Sequence, residues 1–159
     1  MRLESDGRSP EILAVVDAIL RNRLPIRAVD AAVSLLVALD CLMVNALVVQ
    51  HVPALALDSV GPLAVAYHDK QPHPLAVAVV VVVSLLGSLL RGVGRIAVFV
   101  FVGSAAANFA SPAIWGRGVP DYLVVRRLDV IVNLSDILIV ATGALIVAAM
   151  AAQLARARR

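Results

Sequence analysis

Four long apolar runs restrict the folds that are open to this chain: Ala31–Val52, Leu75–Leu90, Ile96–Trp115 and Leu134–Ala155. An α-helix needs about 20 apolar residues to cross the hydrocarbon core of a bilayer, and all but the second run reach that length. The second is expected to cross only with local thinning of the bilayer or with flanking side chains that reach the interface. Only 16% of the 159 residues are charged, against about 25% in soluble domains. The sequence therefore predicts an all-α membrane protein with a four-transmembrane-helix bundle.

Arginines are distributed unevenly around the predicted spans. They precede the first run, lie between the second and third runs, and end the chain. The other two connections carry four basic residues: Lys70, Arg117, Arg126 and Arg127. By the positive-inside rule both termini are cytoplasmic, and we expect a multi-pass protein of the plasma (inner) membrane. Topology and anionic membrane lipids thus explain the basic charge, and nucleic acid is excluded as a partner.

The chain is predicted to have three segments. Residues 1–30 form a cytoplasmic segment in which Ser9 as N-cap and Pro10 at the first helical position begin an amphipathic helix. That helix either lies on the membrane surface or docks on the protein's own cytoplasmic loops. Residues 31–155 form the four-span membrane domain, and residues 156–159 form a basic cytoplasmic tail.

Two connections on the outer side carry the alternating pattern of β-strands. Leu55 and Leu57 alternate with other residues before a turn and Leu63–Tyr67 alternates after it, which predicts a β-hairpin. A weaker pattern predicts a second hairpin within Leu123–Val132. A small extracytoplasmic β-hairpin cradle of this kind suits a protein that holds something lying across the membrane surface. Tyr122 falls at the same edge, where aromatic residues of the membrane interface are expected.

Asp40 is the strongest anomaly within the apolar runs. It lies about 14 Å of helix rise from Ala31, close to the predicted middle of the bilayer. A carboxyl group at that depth must be protonated, hydrogen-bonded to another helix or hydrated from a cavity. Intramembrane ionisable residues are functional candidates by default, and the alternative is a neutral acid that bridges two helices.

Four polar residues are expected to meet near the outer boundary of the hydrocarbon. Asn108 lies about 18 Å of helix rise from Ile96, and Asp121 follows in the last connection. Asn133 and Asp136 begin the fourth run and share one helix face, because they are three residues apart. Two carboxylates in a partly dry site do not both ionise easily, so the pair supplies an acid and a base. Activation of water for peptide cleavage needs that combination, with the carboxamides orienting the pair.

The same residues also have a purely structural interpretation. Asn133 is a favourable N-cap, Asp136 complements the helix dipole in the first turn, and Asp121 is an ordinary turn residue. Spacing alone favours this interpretation over catalysis, because Asn and Asp are common at helix starts. Both interpretations stay open at the level of spacing.

Three short segments resemble motifs of a known family: Gly103–Asn108, Val119–Tyr122 and Val132–Asp136. They are similar to motifs of the lipoprotein signal peptidases, the type II signal peptidases, which cut diacylglyceryl-modified prolipoproteins. In that family the corresponding segments are a small-residue run that ends in Asn, Val-Val-Asp-Phe, and Phe-Asn-x-Ala-Asp. The resemblance also covers the four spans, the cytoplasmic termini and the outer cradle.

The resemblance implies an integral membrane aspartic endopeptidase that cleaves the signal peptides of lipid-modified prolipoproteins. Asp121 and Asp136 correspond to the catalytic dyad, and Asn108 and Asn133 correspond to its supports. Asp40 corresponds to the aspartate of a first-span Asp-x-x-x-Lys motif and belongs with the supporting residues. The implied reaction is cleavage of a lipid-modified precursor peptide by water, with no metal and no covalent intermediate.

Several positions differ from the family motifs, and they leave a second hypothesis open. Val44 stands in place of the first-span lysine, and Ser111-Pro112 stands in place of an Asp-Arg pair. Pro112 lacks a backbone N–H and is expected to interrupt the third span. The second hypothesis is a catalytically silent adaptor or accessory subunit of a larger membrane complex that handles lipids or lipoproteins. Small residues such as Gly87 and Ala105 would let a partner helix approach closely.

The sequence predicts no cofactor and no metal site. Cys41 is the single cysteine, which excludes a disulfide and a cysteine-based zinc site within the chain. His68, Asp69 and His73 lie close together in one connection, but they lack a fourth ligand and a defined geometry.

Overall fold

The computed structural model describes residues 28–52, 63–68, 74–87, 89–125, 127–128 and 130–158. Four helices lie in these segments: α1 (Ala28–His51), α2 (Pro74–Gly87), α3 (Val93–Trp115) and α4 (Leu134–Ala157). Three strands accompany them: β1 (Leu63–His68), β2 (Val119–Val125) and β3 (Val130–Val132). The predicted N-terminal amphipathic helix and the predicted strand at Leu55 and Leu57 lie outside the described residues.

Three helices of the described chain, α1, α3 and α4, are long and apolar enough to cross a membrane. The apolar helix α2 has 14 residues, so its length of about 21 Å is less than the roughly 30 Å of hydrocarbon. The prediction of a mostly helical protein with candidate membrane spans is therefore confirmed. Whether α2 completes a four-span bundle stays a prediction.

The helix α3 lies between α1 and α4. Its contacts with α1 follow the same direction along both helices. At one end, Nε of Arg95 donates to both carboxylate oxygens of Asp30 at 3.2 Å. One turn further on, the Ser34 hydroxyl donates to the Phe99 carbonyl at 2.9 Å. A Cβ at Gly103 would lie only 2.4 Å from the Ser34 carbonyl oxygen, so glycine permits this close approach. Residue numbers rise together in these pairs, hence α1 and α3 are parallel.

The helix α4 is antiparallel to α3 and shares the apolar core with it. Near the end with Arg95, a Cβ at Gly94 would lie 2.8 Å from the Ala149 Cβ, and near the other end Asn108 contacts Asp136. Five buried residues form one apolar cluster of the core: Leu90, Ala97, Val98, Phe101 and Ile146. This cluster occupies the half of the bundle away from Asn108 and Asp136.

The expected interruption of the third span at Pro112 is wrong. The helix α3 continues through Pro112 to Trp115, and Gly116 then ends it in the left-handed conformation at φ 63°. The Gly116 N–H donates to the Pro112 carbonyl at 3.0 Å. Because Pro112 lies in the last turn, it removes only the helical bond to the Asn108 carbonyl, and the preceding turns are unaffected.

The strands form one antiparallel sheet in the order β1-β2-β3. The predicted second hairpin is confirmed, since Leu123 pairs with Val132 and Val125 with Val130. The strand predicted after residue 62 is confirmed as β1, which pairs with β2 across a long stretch of chain. In that pairing, Ala66 lies opposite Asp121. The sheet therefore joins the connection before α2 to the connection before α4.

Candidate active site

The fold places Asp121 beside the start of α4. Asp121 lies near the beginning of β2, and Asn133 directly follows β3, its hairpin partner. Because Leu123 is paired with Val132, the residues just beyond that pair also lie next to each other. The Asn133 side-chain amide donates to Oδ1 of Asp121 at 2.8 Å, with Asn133 fully buried and Asp121 2% exposed.

Asn133 and Asp136 form a complete capping box at the start of α4. Oδ1 of Asn133 accepts from the Asp136 backbone N–H at 3.0 Å, and the Asn133 backbone N–H donates to Oδ2 of Asp136 at 3.2 Å. These two bonds satisfy donors that every helix start leaves open. The structural role expected for these two residues is therefore present.

Asn108 adds a bond that capping does not require. Its side-chain amide on α3 donates to Oδ1 of Asp136 at 2.8 Å. The result is a continuous hydrogen-bonded series in the order Asn108, Asp136, Asn133 and Asp121. We call these four residues the Asp-Asn cluster. It unites α3, β2 and α4, and it contains every predicted site residue except Asp40.

Tyr122 belongs to the same region, although the sequence places it at the membrane interface. Its side chain is 3% exposed, and its hydroxyl oxygen accepts from the Leu134 N–H at 3.1 Å. Burial raises the pKa of the Tyr122 hydroxyl above its ordinary value, and the nearby acidic groups act in the same direction. The start of β2 is covered on both faces, so Asp121 and Tyr122 are both buried, and the position of Tyr122 at the membrane interface stays a prediction.

Two further polar atoms near the cluster have no hydrogen-bond partner in the described part of the chain. They are Oδ1 of Asn108 and Oγ of Ser135, and both atoms are buried. The Asn108 backbone carbonyl also lacks its helical hydrogen bond, because Pro112 has no N–H to donate. The sequence gives no signal for Ser135, which looks like an ordinary residue of a first helical turn. Among the described residues, the region thus has acceptor atoms that could take a further hydrogen-bond donor.

An apolar cleft of about 530 Å³ opens between α2, α3 and α4 beside the cluster. Its walls include Leu75, Val79, Phe101 and Ile139, and Asn108 is the polar residue among its lining residues. We call this space the apolar cleft. Its volume is within the range of about 300–1,000 Å³ that small-molecule sites occupy. The cleft therefore reaches the residue that holds Asp136.

Asp40 lies apart from the Asp-Asn cluster. It is exposed on α1, whereas its neighbour Cys41 is 1% exposed and faces the protein. No hydrogen bond connects Asp40 with the cluster among the residues that the structure describes. A supporting role for Asp40 in the site stays a prediction.

The structure and the comparisons with known proteins add no cofactor and no relative. Among the described residues, no group of three or more His, Cys, Asp or Glu side chains is placed to hold a metal ion. Asp69 and His73 lie outside those residues. No family model, no curated protein and no solved structure matches the chain. Functional conclusions accordingly depend on the chemistry of the Asp-Asn cluster.

Proposed function

We propose that the protein is a membrane aspartic endopeptidase of the lipoprotein signal peptidase type. It cleaves the signal peptides of lipid-modified prolipoproteins at the plasma (inner) membrane, with both termini cytoplasmic. The supporting observation is that Asp121 and Asp136, from two different elements, are both hydrogen-bonded to Asn133. A capping box alone needs only Asn133 and Asp136. The additional bonds to Asp121 and Asn108 therefore favour a functional site over a purely structural helix cap.

One of the two carboxyl groups would act as general base and the other as general acid. In the proposed reaction the ionised carboxylate takes a proton from water while the protonated partner donates a hydrogen bond to the scissile carbonyl oxygen. Water oxygen bonds to the carbonyl carbon, and the C–N bond then breaks as the leaving nitrogen receives a proton from the pair. The roles of acid and base are assigned to the pair and not to either carboxyl group alone.

The surroundings of the cluster suit an apolar substrate with a peptide backbone. The apolar cleft offers hydrocarbon-like walls for apolar side chains or acyl chains. Asn108 lines that cleft, and its Oδ1 is a buried acceptor without a hydrogen-bond partner among the described residues. A peptide N–H would satisfy it, which would remove the cost of about 1–3 kcal/mol for an unpaired buried polar atom.

Cleavage of a diacylglyceryl-modified precursor peptide in lipid vesicles tests the proposal. We expect Asp121→Asn and Asp136→Asn each to abolish cleavage, since either change removes one half of the dyad. Thermal unfolding of the same vesicle samples separates lost chemistry from lost folding. Cleavage at the normal rate by both variants would contradict the enzyme.

A second candidate function is favoured by one observation on α1. Asp40 lies exposed on an apolar helix, and apolar neighbours such as Leu39 and Met43 are 53% and 57% exposed. A helix face of this kind suits an accessory subunit of a larger membrane complex. This function predicts association that depends on Asp40 and no cleavage by the intact chain, whereas the peptidase requires cleavage.

A further inference from the structure

Asp40 lies at the middle of the helix α1 and faces away from the rest of the described protein. The helix rises about 18 Å from Ala28 to Asp40 and about 16 Å from Asp40 to His51. Cys41 and Asn45, on the covered side of the helix, are 1% and 0% exposed. A short carboxylate side chain cannot reach either membrane surface from this depth. Its partner must therefore lie within the membrane.

The exposed residues around Asp40 have the spacing of a helix-packing surface. Leu36, Asp40, Met43 and Leu47 are all exposed, and they follow one another at intervals of four, three and four residues. Alternation of three and four residues is the pattern by which one helix packs along another. We call these four residues the α1 seam. A polar residue within such a seam determines which partner and which register are accepted.

The described part of the chain does not supply a charge partner for Asp40. Among those residues Asp40 forms no hydrogen bond and no ion pair. Arg95, the basic residue in the neighbouring span α3, is already paired with Asp30. The other basic residues within the described spans, His51 and Arg156, lie in the last turns of α1 and α4. Within the described part of the chain, no complementary charge therefore lies at the depth of Asp40.

We propose that the α1 seam binds a transmembrane helix of another protein that carries a lysine or arginine in its middle. Charged residues within membranes pair with opposite charges, because the alternative is an isolated charge in hydrocarbon. Lipid tails offer neither a cation nor a hydrogen-bond donor. A second copy of the seam would oppose one carboxylate with another, so a cationic partner helix fits the charge best.

The test uses the full-length chain in phosphatidylcholine vesicles and a synthetic transmembrane helix of leucine and alanine with one central lysine. Energy transfer between a label on the protein and a label on the peptide measures their association. We expect the lysine peptide to bind roughly tenfold more tightly than the matched peptide with a central leucine. The change Asp40→Asn removes that preference, Asp40→Glu retains it, and Asp40→Lys transfers it to a peptide with a central glutamate.

Two variants test the position of the binding surface. Met43→Trp places a bulky side chain within the α1 seam and is expected to weaken binding of the lysine peptide. Val140→Trp makes the same change on α4, where Val140 is 73% exposed, and is expected to leave binding unchanged. Equal effects of these two changes would overturn the proposed surface.

Three results would overturn the proposal itself. The first is equal binding of the lysine and leucine peptides by the unaltered chain. The second is a preference for lysine that survives in Asp40→Asn. The third is association of the chain with itself that needs Asp40 and excludes the peptide, which would assign the α1 seam to a second copy.

Discussion

Asn133 donates a hydrogen bond of 2.8 Å to Asp121 and thereby ties the first turn of α4 to β2. The same carboxamide accepts from the Asp136 backbone with its oxygen. One side chain thus caps a helix with one atom and positions a candidate catalytic group with another. Loss of Asn133 is expected to affect folding and the site together, and the two effects are separable by the choice of substitution.

Asn133→Ser and Asn133→Ala separate capping from the bond to Asp121. Serine still caps α4 but cannot donate as the carboxamide does, whereas alanine loses both functions. We expect alanine to lower the free energy of unfolding by about 2–4 kcal/mol, and serine by about 1 kcal/mol less. Chemical unfolding in detergent micelles measures both values. Equal losses for the two variants would show that the cap contributes nothing measurable.

Gly103→Ala tests the close approach of α1 and α3. The new methyl group would lie 2.4 Å from the Ser34 carbonyl oxygen, which is backbone and cannot rotate away. We expect the free energy of unfolding to fall by about 1–3 kcal/mol, since the helices must separate. Gly143→Ala on α4 is the matched control, because its methyl group would meet nothing within 4 Å. For Gly143→Ala we expect the free energy of unfolding to rise by about 0.5–1 kcal/mol. Similar losses at both sites would contradict the close approach of α1 and α3.

The raised pKa of Tyr122 predicts that the free energy of unfolding falls at alkaline pH. Burial raises its pKa in the folded protein, while in the unfolded chain tyrosine ionises near pH 10. The contribution of Tyr122 is therefore complete below about pH 10 and is lost as the pH rises through the folded-state pKa. Unfolding measured across this range should show the decline in the unaltered chain, with a smaller decline in Tyr122→Phe. An identical decline in both would exclude Tyr122 as its source.

The pair of Asp30 and Arg95 predicts a double-variant result. Their side chains are only 9% and 14% exposed, so either group alone is a poorly solvated charge. We expect Asp30→Leu to lower the free energy of unfolding by about 3 kcal/mol, and the double variant with Arg95→Leu to recover most of that loss. Additive losses, measured by the same unfolding experiment, would contradict a coupled pair.

The sequence predicts the members of the Asp-Asn cluster because each has a local signal. Asn133 and Asp136 have the spacing of a helix start, and Asn108 is polar within an apolar run. Which bonds they form depends on the side-by-side position of α3 and α4, and spacing does not reveal it. The sequence does not predict the burial of Tyr122. An aromatic residue near a predicted interface is typical of membrane proteins, whereas the burial of Tyr122 depends on the sheet.

Two other features are decided by tertiary structure. The strand β1 pairs with β2, which its alternating pattern does not reveal, whereas the predicted hairpin with Leu55 and Leu57 lies outside the described residues. The sequence does not reveal the outward position of Asp40 either. Apolar residues occur around the whole circumference of α1, so its periodicity does not indicate which face is covered. Burial of the neighbouring Cys41 likewise becomes evident only in the folded protein.

Cleavage of a diacylglyceryl-modified precursor in vesicles by Asp136→Asn, compared with cleavage by the unaltered chain, decides whether the carboxyl pair is catalytic. Asparagine keeps one acceptor oxygen toward its partners, so we expect only about 1–2 kcal/mol of lost stability and a folded variant. We expect the folded variant to leave the precursor uncut while the unaltered chain releases the signal peptide. Release of the signal peptide at the same rate by both proteins would exclude Asp136 as a catalytic residue.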